Sequence, residues 1–364
     1  MQLLIDARLL SQGEGTGVET YAKNIISRLL ADPRGRTQTL FYNAWRTAPL
    51  PHNWREKSAR VVDWGMPNKL YDLWQPQIDR LIPADIIYSP HINRLRSKKA
   101  PRVMTIHDLS FVHYPQFFPL RYRLWHERQR VREQADEARA IIANSAYTKA
   151  DIANTWGIAP EKIHAIHPGI DAPAYDPAKR PILSPAKEAI MRRPYILCLS
   201  TLEPRKNIPL AISAFARLKK DPYFRDLALV MAGGKSWRFE PIPCPDAFYW
   251  GNASAEEKAL LYTEAEAFLF PSFFEGFGFP PLEAQSYGCP VVASDRASLP
   301  EILGGSALYA GPWNAAGLAD AAESILKSPA ERDRLVAAGH ENIKRFDWNR
   351  TPWALSDIFS SLAS

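Results

Sequence analysis

Two glutamates, Glu275 and Glu283, stand with seven residues between them in the stretch PSFFEGFGFPPLEAQSYGCPVVASD. Glu275 precedes a flexible turn formed by Gly276, Phe277 and Gly278. Helix amides beyond the turn attract an anion, whereas carboxylates accept hydrogen bonds from hydroxyl groups. A ligand that satisfies both has an anionic part and a polyhydroxylated part, and a nucleotide sugar fits. In the alternative interpretation, Glu283 only caps a helix dipole and the glycines only form a turn.

Two adjacent cations, Arg205 and Lys206, follow an apolar run. Arg205 and Lys206 lie in LSTLEPRKN, after the run Tyr195 to Leu199 that predicts a buried strand. Cations at the end of such a strand can neutralise a diphosphate. A solvated surface pair is the alternative, and it applies to Arg205 more than to Lys206.

His107 and Asp108 directly follow the apolar run Val103 to Ile106. In open α/β sheets, ligands bind at the carboxyl ends of the strands. A lone histidine is usually structural, but this one leaves a buried strand at the ligand-binding edge. His107 is therefore a candidate site residue.

A glycine-rich loop, GEGTG at 13–17, connects the first apolar run to a helix predicted over Val18 to Leu30. Three glycines in five positions exceed what a tight turn needs, and the N-terminus of the helix suits an anion. The spacing departs from the dinucleotide fingerprint G-x-G-x-x-G. A nicotinamide cofactor, and with it an oxidoreductase, is therefore disfavoured.

The elements that must position these residues alternate along the chain. Short apolar runs separated by helical patterns predict parallel sheets covered on both faces, which is an α/β fold. The proline-rich segment HPGIDAPAYDPAKRPILSP is typical of a linker. We expect a first domain over 1–175, a second over 176–347 and a last helix over 348–364.

Two helix starts bear on the candidate site. The helix after the glycine turn is predicted over Leu282 to Tyr287, because Pro280 and Pro281 suit a helix start. Glu283 then falls in the first turn. Ser145 is predicted to cap the helix that follows the strand Ala140–Ala143.

Composition limits the class of protein. The 364 residues are 46% hydrophobic and 23% charged, which is ordinary for a globular protein. No apolar run approaches a membrane span, Asp6 interrupts the N-terminal stretch too early for a signal peptide, and the three cysteines lack metal-ligand spacing. These features predict a cytoplasmic protein. The net charge of +6 allows attraction to phosphates or an anionic bilayer, and we expect no nucleic-acid partner.

A segment over 111–132, FVHYPQFFPLRYRLWHERQRVR, combines aromatic residues with arginines. One interpretation is a solvated helix face. The other is that this segment, with the tryptophan-rich stretch 64–74, borders an acceptor site and meets a lipid-diphosphate-linked glycan at the inner face of the plasma membrane.

Together, these motifs resemble those of the retaining family 4 glycosyltransferases. EGFG and the seven-residue spacing of the two glutamates look like the family signature, within a similarity that extends from LYTEAEAF to ALYAGP. The motifs GEGTGVETYAKNI, TIHDLSF, IIANSAYTKADI and LSTLEPRKN resemble the branch that contains bacterial polysaccharide mannosyltransferases.

The resemblance implies a fold and a set of site residues. The fold is the GT-B type, with two facing Rossmann-like domains, a cleft between them and a C-terminal helix that crosses back to the first domain. By resemblance, His107 contacts the transferred sugar near its reacting centre, Glu275 holds the sugar hydroxyls and Glu283 the ribose hydroxyls. The residues implied to lie against the donor diphosphate or the acceptor are Gly15, Thr16, Gly17, Thr201, Arg205, Lys206, Gly276, Phe277 and Gly278. Many members carry an arginine where this chain has Thr201, and Arg205 is the candidate substitute.

The resemblance also implies the reaction. It is transfer of a hexose with retention, with GDP-mannose as the expected donor and a glycan or lipid-linked glycan as the acceptor, in polysaccharide or lipopolysaccharide synthesis. We expect no cofactor and no metal, since no Asp-x-Asp pair occurs in the chain. A UDP- or dTDP-sugar donor, or a catalytically silent binding partner, remains as an alternative.

Overall fold

A computed structural model describes residues 1–12, 17–31, 34, 36–43, 50–58, 60–171, 175–234, 240 and 242–363. The chain forms two compact units. Unit 1 comprises Met1–His113, Leu120–Gly169 and Asp347–Ser364, and unit 2 comprises Tyr114–Pro119 and Ile170–Phe346. The part of unit 1 that precedes unit 2 ends at Gly169, before the domain boundary expected at 175.

Unit 1 is built on a parallel sheet. Its strands are β1 (Gln2–Asp6), β2 (Thr37–Phe41), β3 (Arg60–Val62), β4 (Ile86–Ser89), β5 (Arg102–Ile106), β6 (Ala140–Ala143) and β7 (Ile163–Ala165). Within the described residues they form a seven-stranded sheet in the order β3-β2-β1-β4-β5-β6-β7, with every pair parallel. All residues of β4, β5 and β6 are buried, as expected for central strands covered on both faces.

Helices cover this sheet. They are α1 (Gly17–Leu30), α2 (His52–Lys57), α3 (Asn68–Trp74), α4 (Ile78–Leu81), α5 (Ser110–His113), α6 (Leu120–Gln129), α7 (Val131–Glu137) and α8 (Ala146–Trp156). Helix α1 buries Tyr21, Ile25 and Leu29 at four-residue spacing, which gives one apolar face. Helix α8 begins after Ser145, whose hydroxyl accepts a hydrogen bond from the Thr148 amide, so the predicted cap is confirmed.

Unit 2 repeats the architecture. Its strands are β8 (Tyr195–Leu199), β9 (Ala228–Ala232), β10 (Ala247–Gly251), β11 (Ala267–Phe270), β12 (Val291–Ser294) and β13 (Ala307–Ala310). They form a parallel sheet, six-stranded in the described part of the chain, in the order β10-β9-β8-β11-β12-β13. Its helices are α9 (Pro185–Met191), α10 (Ile208–Leu218), α11 (Ala255–Glu264), α12 (Phe279–Ser286), α13 (Leu299–Leu303), α14 (Ala315–Lys327) and α15 (Pro329–Ile343).

The last helix, α16 (Arg350–Ala363), belongs to unit 1, so the predicted return of the chain to the first domain is confirmed. It packs on α1 and β4, with the Phe359 ring 5.4 Å from that of Tyr88. The return requires a close approach of two backbone segments. A Cβ added at Gly169 would lie 2.1 Å from the Trp348 nitrogen, so only glycine fits there.

The structure corrects the start of the site helix. Helix α12 begins at Phe279, not at Leu282, and Gly278 is its N-cap. Pro280 and Pro281 are therefore inside the first turn, where their missing amides cost no helical hydrogen bond. Glu283 consequently lies in the second turn, so its expected place in the first turn is wrong. Helices of the described residues are all too short or too polar to cross a membrane.

Candidate active site

Glu275 lies at the centre of a buried charged cluster at the carboxyl edge of the unit 2 sheet. Its Oε1 accepts hydrogen bonds from Lys206 Nζ and Ser272 Oγ, both at 2.6 Å. Its Oε2 lies 2.9 Å from Arg205 Nη1. The loop after β8 and the loop after β11 are thereby joined by ionic contacts, and three of the predicted site residues meet directly.

The cluster keeps Glu275 ionised. Burial alone would raise the pKa of this carboxyl, but the charges of Arg205 and Lys206 and the hydrogen bonds from Lys206 and Ser272 lower it to about 2. Burial lowers the pKa of Lys206, with Arg205 acting in the same direction and Glu275 and Glu203 opposing it. The carboxylate is thus an acceptor for hydroxyl groups at any physiological pH.

Arg205 is turned toward carboxylates. Its Nε and Nη2 lie 3.1 and 2.8 Å from Glu203 Oε1, and its Nη1 donates to the Phe274 carbonyl at 2.7 Å. With its contact to Glu275, the guanidinium connects two carboxylates and one backbone carbonyl. These contacts orient the loop that carries Glu275.

Serines fix the backbone around Glu275. Ser298 Oγ lies 2.8 and 3.1 Å from the carbonyl oxygens of Glu275 and Phe277, which share its one hydroxyl proton. Ser294 Oγ donates to the Ser272 carbonyl at 2.5 Å. The turn is therefore held from β12 and from the start of α13.

The glycine turn allows close packing of backbone. Gly278 has φ of 103°, and a Cβ added there would lie 2.8 Å from Leu299 Cδ2. Phe277 is buried in the core of unit 2, so a ligand can contact this residue and Gly276 only through their backbone groups. Thr201, after β8, is exposed.

Glu283 occupies a different environment. It lies on α12, where its Oε2 accepts a hydrogen bond of 3.0 Å from Tyr262 on α11. Burial raises the pKa of Glu283, with Lys258 and Tyr262 opposing the effect. Two carboxyls from one short motif therefore differ: the pKa of Glu275 is lowered and that of Glu283 is raised.

Aromatic side chains flank the Glu275 loop. Tyr114 and Phe117, from the short segment of unit 2 at 114–119, contact Phe274 and Phe273 with ring separations of 5.8 and 5.2 Å. Phe273 also contacts Trp313 at 4.5 Å. The aromatic part of the 111–132 segment thus belongs partly to unit 2, whereas its arginine-rich helix α6 belongs to unit 1.

His107 lies at the carboxyl edge of the unit 1 sheet, directly after β5. Its Nε2 lies 2.9 Å from the Pro90 carbonyl, its Nδ1 lies 2.7 Å from Asn144 Nδ2, and the Tyr21 ring packs edge-on at 4.8 Å. Burial lowers the pKa of His107 to about 4. Gly17 is the first residue of α1, whereas Gly15 and Thr16 lie outside the described residues.

Sequence reasoning did not assign several residues that organise these contacts. They are Asn144, Glu203, Tyr262, Ser272 and Ser298. Ser272 and Glu203 lie within three residues of predicted site residues, so a search for polar neighbours would have found them. Asn144 and Tyr262 contact residues that are distant in sequence, and only the fold brings them together.

In the described ranges, no group of three or more His, Cys, Asp or Glu side chains is arranged to hold a metal ion.

Comparison with known proteins defines the class. Residues 15–172 match the family described as Glycosyltransferase Family 4, and residues 180–342 match the family described as Glycosyl transferases group 1. The chain belongs to the glycosyltransferases of the GT-B fold, so the predicted resemblance and enzyme class are confirmed.

The curated relatives include mannosyltransferases. O-antigen chain mannosyltransferase B of Escherichia coli is 29% identical in a match that covers 92% of this chain and 93% of the relative. MMP alpha-(1->4)-mannosyltransferase of Mycolicibacterium hassiacum is 28% identical in a match that covers 61% of this chain and 53% of the relative.

Solved structures share the fold. Sucrose-phosphate synthase from Thermosynechococcus elongatus has a TM-score of 0.75 and 18% identity, with 99% of this chain and 98% of that chain covered. WaaG, a glycosyltransferase involved in lipopolysaccharide biosynthesis, has a TM-score of 0.69 and 16% identity, with 99% of each chain covered. These similarities confirm the predicted fold class of two Rossmann-like domains.

Proposed function

We propose that this glycosyltransferase transfers mannose from GDP-mannose, with retention of configuration, onto a glycan acceptor in bacterial surface polysaccharide or lipopolysaccharide synthesis. The observation that carries the proposal is the buried contact between Lys206 and Glu275, which sets a cation beside an ionised hydroxyl acceptor. The mannose donor and the polysaccharide product are supported by the similarity to O-antigen chain mannosyltransferase B along most of both chains.

The charges suit the chemistry of a nucleotide sugar. Departure of the diphosphate develops positive charge at the anomeric carbon and negative charge on the leaving oxygens. Lys206 Nζ has three N–H donors, so it can hold Glu275 and a phosphate oxygen together. One such donor is worth about 3 kcal/mol of transition-state stabilisation.

The two glutamates take different hydroxyl groups in this proposal. Glu275, kept ionised by its cations, accepts hydrogen bonds from hydroxyls of the transferred sugar. Glu283, which Tyr262 orients, accepts hydrogen bonds from the ribose hydroxyls. The reaction requires no divalent metal in this proposal, because Lys206 and backbone amides supply the charge stabilisation and the sequence lacks an Asp-x-Asp pair. No separate cofactor takes part.

A different nucleotide is the second candidate for the donor. One structure that shares the fold is Anabaena HepE in complex with UDP-glucose, with a TM-score of 0.67 and 17% identity. A dTDP-sugar, or binding of nucleotide and glycan without turnover, is the further alternative. The nucleotide that the protein binds distinguishes the candidate donors.

Calorimetric titration tests the donor. The full chain is titrated in chelator with GDP-mannose, GDP, UDP-glucose, dTDP-rhamnose and NAD, and the titrations are repeated with Glu283→Ala. We expect binding of the two GDP compounds and its loss in the variant, with Asp226→Ala, an exposed carboxylate, as the unchanged control. If only the UDP or dTDP compounds bind, the donor is a UDP- or dTDP-sugar and not GDP-mannose. If no nucleotide binds, the proposal is overturned.

The acceptor is proposed to be a lipid-diphosphate-linked glycan reached at an anionic membrane surface. Leu120 and Leu124 on α6 are exposed beside the exposed cations Arg121, Arg123 and Arg128. Exposed apolar residues next to cations suit peripheral binding to anionic lipid. Helix α3 adds further exposed apolar residues, namely Leu70, Leu73 and Trp74.

A further inference from the structure

We infer that Asn144 is a positioning residue that holds the His107 imidazole neutral, with its proton on Nε2, beside the reacting sugar. The inference rests on the proposed function for the place of the sugar. The contacts of the ring themselves are independent of that proposal. They come from three neighbouring strands, because Pro90 follows β4, His107 follows β5 and Asn144 follows β6.

The Pro90 carbonyl determines which nitrogen carries the proton. A carbonyl oxygen can only accept, so the contact of 2.9 Å requires a proton on His107 Nε2. In the neutral ring, Nδ1 then carries a lone pair. Asn144 Nδ2, at 2.7 Å, donates to that lone pair. The amide orientation of Asn144 and the tautomer of His107 thus determine each other.

The Asn144 side chain is buried at the start of α8. It is 3% exposed and directly precedes Ser145, the cap of α8. Its Oδ1 has no hydrogen-bond partner among the described residues. A protonated His107 would have to recruit that oxygen by turning the amide over. The observed amide orientation therefore disfavours the imidazolium.

The other groups that face the ring also matter for its charge. Burial lowers the pKa of His107 to about 4, the hydrogen bond to the Pro90 carbonyl and the charge of Asp108 oppose this, and His91 adds to it. Tyr21 from α1 presents a ring edge and no charge, since burial raises the pKa of its phenol. His91 is itself 3.6 Å from the buried Asp6. The Pro90 carbonyl and Asp108 thus favour the imidazolium, and Asn144 acts against it.

A neutral ring has a consequence for the chemistry. Positive charge develops at the anomeric carbon as the diphosphate leaves, so an adjacent imidazolium would oppose the reaction. With both ring nitrogens bound inside unit 1, His107 performs no proton transfer. It presents a rigid and uncharged surface, and Asn144 maintains that state.

The test is the tautomer and pKa of His107 in the full chain, measured by long-range ¹H–¹⁵N correlation on protein labelled at histidine. His107→Gln assigns the signal. We expect a neutral ring protonated at Nε2 from about pH 5 to about pH 9. Asn144→Asp should raise the pKa of His107 by about 1–3 pH units, because a carboxylate accepts from Nδ1–H. Asn144→Ala should raise it less, because it only removes the donor.

Matched measurements keep the inference falsifiable. Asn154→Asp, the same change at an exposed position of α8, should leave the His107 signal unchanged. Turnover of Asn144→Asp should fall as pH falls through the new pKa, whereas the wild type should show no such step. A wild-type ring protonated at Nδ1, or a pKa unchanged in both Asn144 variants, would overturn the inference. Because the spectra need no donor, an inactive protein with the expected spectra would instead count against the proposed function.

Discussion

Lys206 Nζ and Glu275 Oε1 lie 2.6 Å apart, although the two residues are separated by 69 positions in the sequence. This contact joins two loops at the carboxyl edge of one sheet. Its partners are buried, so the charge of Glu275 is compensated by Lys206 and Arg205, and the charge of Lys206 by Glu275 and Glu203. Loss of either charge therefore affects stability as well as the site.

Glu275→Gln should reduce the free energy of unfolding at neutral pH by about 3 kcal/mol. The folded-state pKa of Glu275, about 2, lies below its ordinary value of 4.5, so its stabilisation is fully present above that value. The difference between wild type and variant should shrink as pH falls from about 4.5 toward about 2. Urea unfolding of both proteins at several pH values measures this difference in the free energy of unfolding. Glu341→Gln, which breaks an exposed pair with Lys344, should change stability by less than about 1 kcal/mol.

Arg205→Met and Lys206→Met should have different effects on GDP binding. Lys206→Met removes the proposed diphosphate donor and should weaken GDP binding about tenfold or more. Arg205→Met should weaken GDP binding less than Lys206→Met does. It should lower turnover instead, since Arg205 contacts Glu203 and Glu275. Calorimetry with GDP and steady-state kinetics separate the two. Equal losses of GDP affinity would mean that Arg205 serves as the second diphosphate cation.

Gly278→Ala should destabilise unit 2 by about 2–4 kcal/mol, through its positive φ and the contact of the new Cβ with Leu299. Gly288→Ala is the matched control. It has φ of 72° but its added Cβ would find neighbours no nearer than 3.6 Å, so it should cost only the backbone strain. Thermal and urea unfolding of both variants isolates the packing contribution. Equal costs would show that Leu299 adjusts freely.

Reversing the charges of Arg121, Arg123 and Arg128 to Glu should abolish binding to vesicles that contain phosphatidylglycerol. Each lost arginine should cost about 1 kcal/mol near an anionic surface. Sedimentation with these vesicles and with phosphatidylcholine vesicles is the measurement. The control reverses three exposed cations of unit 2, Arg217, Lys220 and Arg225. If both triple variants lose binding alike, net charge and not α6 accounts for the attraction.

Apolar runs predicted the central strands well. The expected bounds of β6 and β8 agree with the structure, because these strands are buried on both faces and are bounded by polar residues or proline. Strand β13 was not predicted, since Ala307–Ala310 is short and half of it is only partly buried. Edge strands of this kind carry a weak hydrophobic pattern.

The candidate site was predicted in its residue types but not in its contacts. Motifs identified Lys206, Arg205 and Glu275, and the fold brought them together. Two points lay beyond sequence reasoning. The orientation of Arg205 toward carboxylates depends on the loop after β11, and the pairing of Asn144 with His107 depends on the order of β5 and β6 in the sheet.

The placement of α16 affects the order in which the chain can complete its units during synthesis. Unit 1 needs residues 347–364, which leave the ribosome after the whole of 170–346. Apart from 114–119, unit 2 is contiguous in sequence and can assemble before unit 1 acquires its last helix. Until then the faces of α1 and β4 that α16 covers stay exposed to solvent. A nascent chain of this protein therefore carries an incomplete first unit until residues 347–364 have been synthesised.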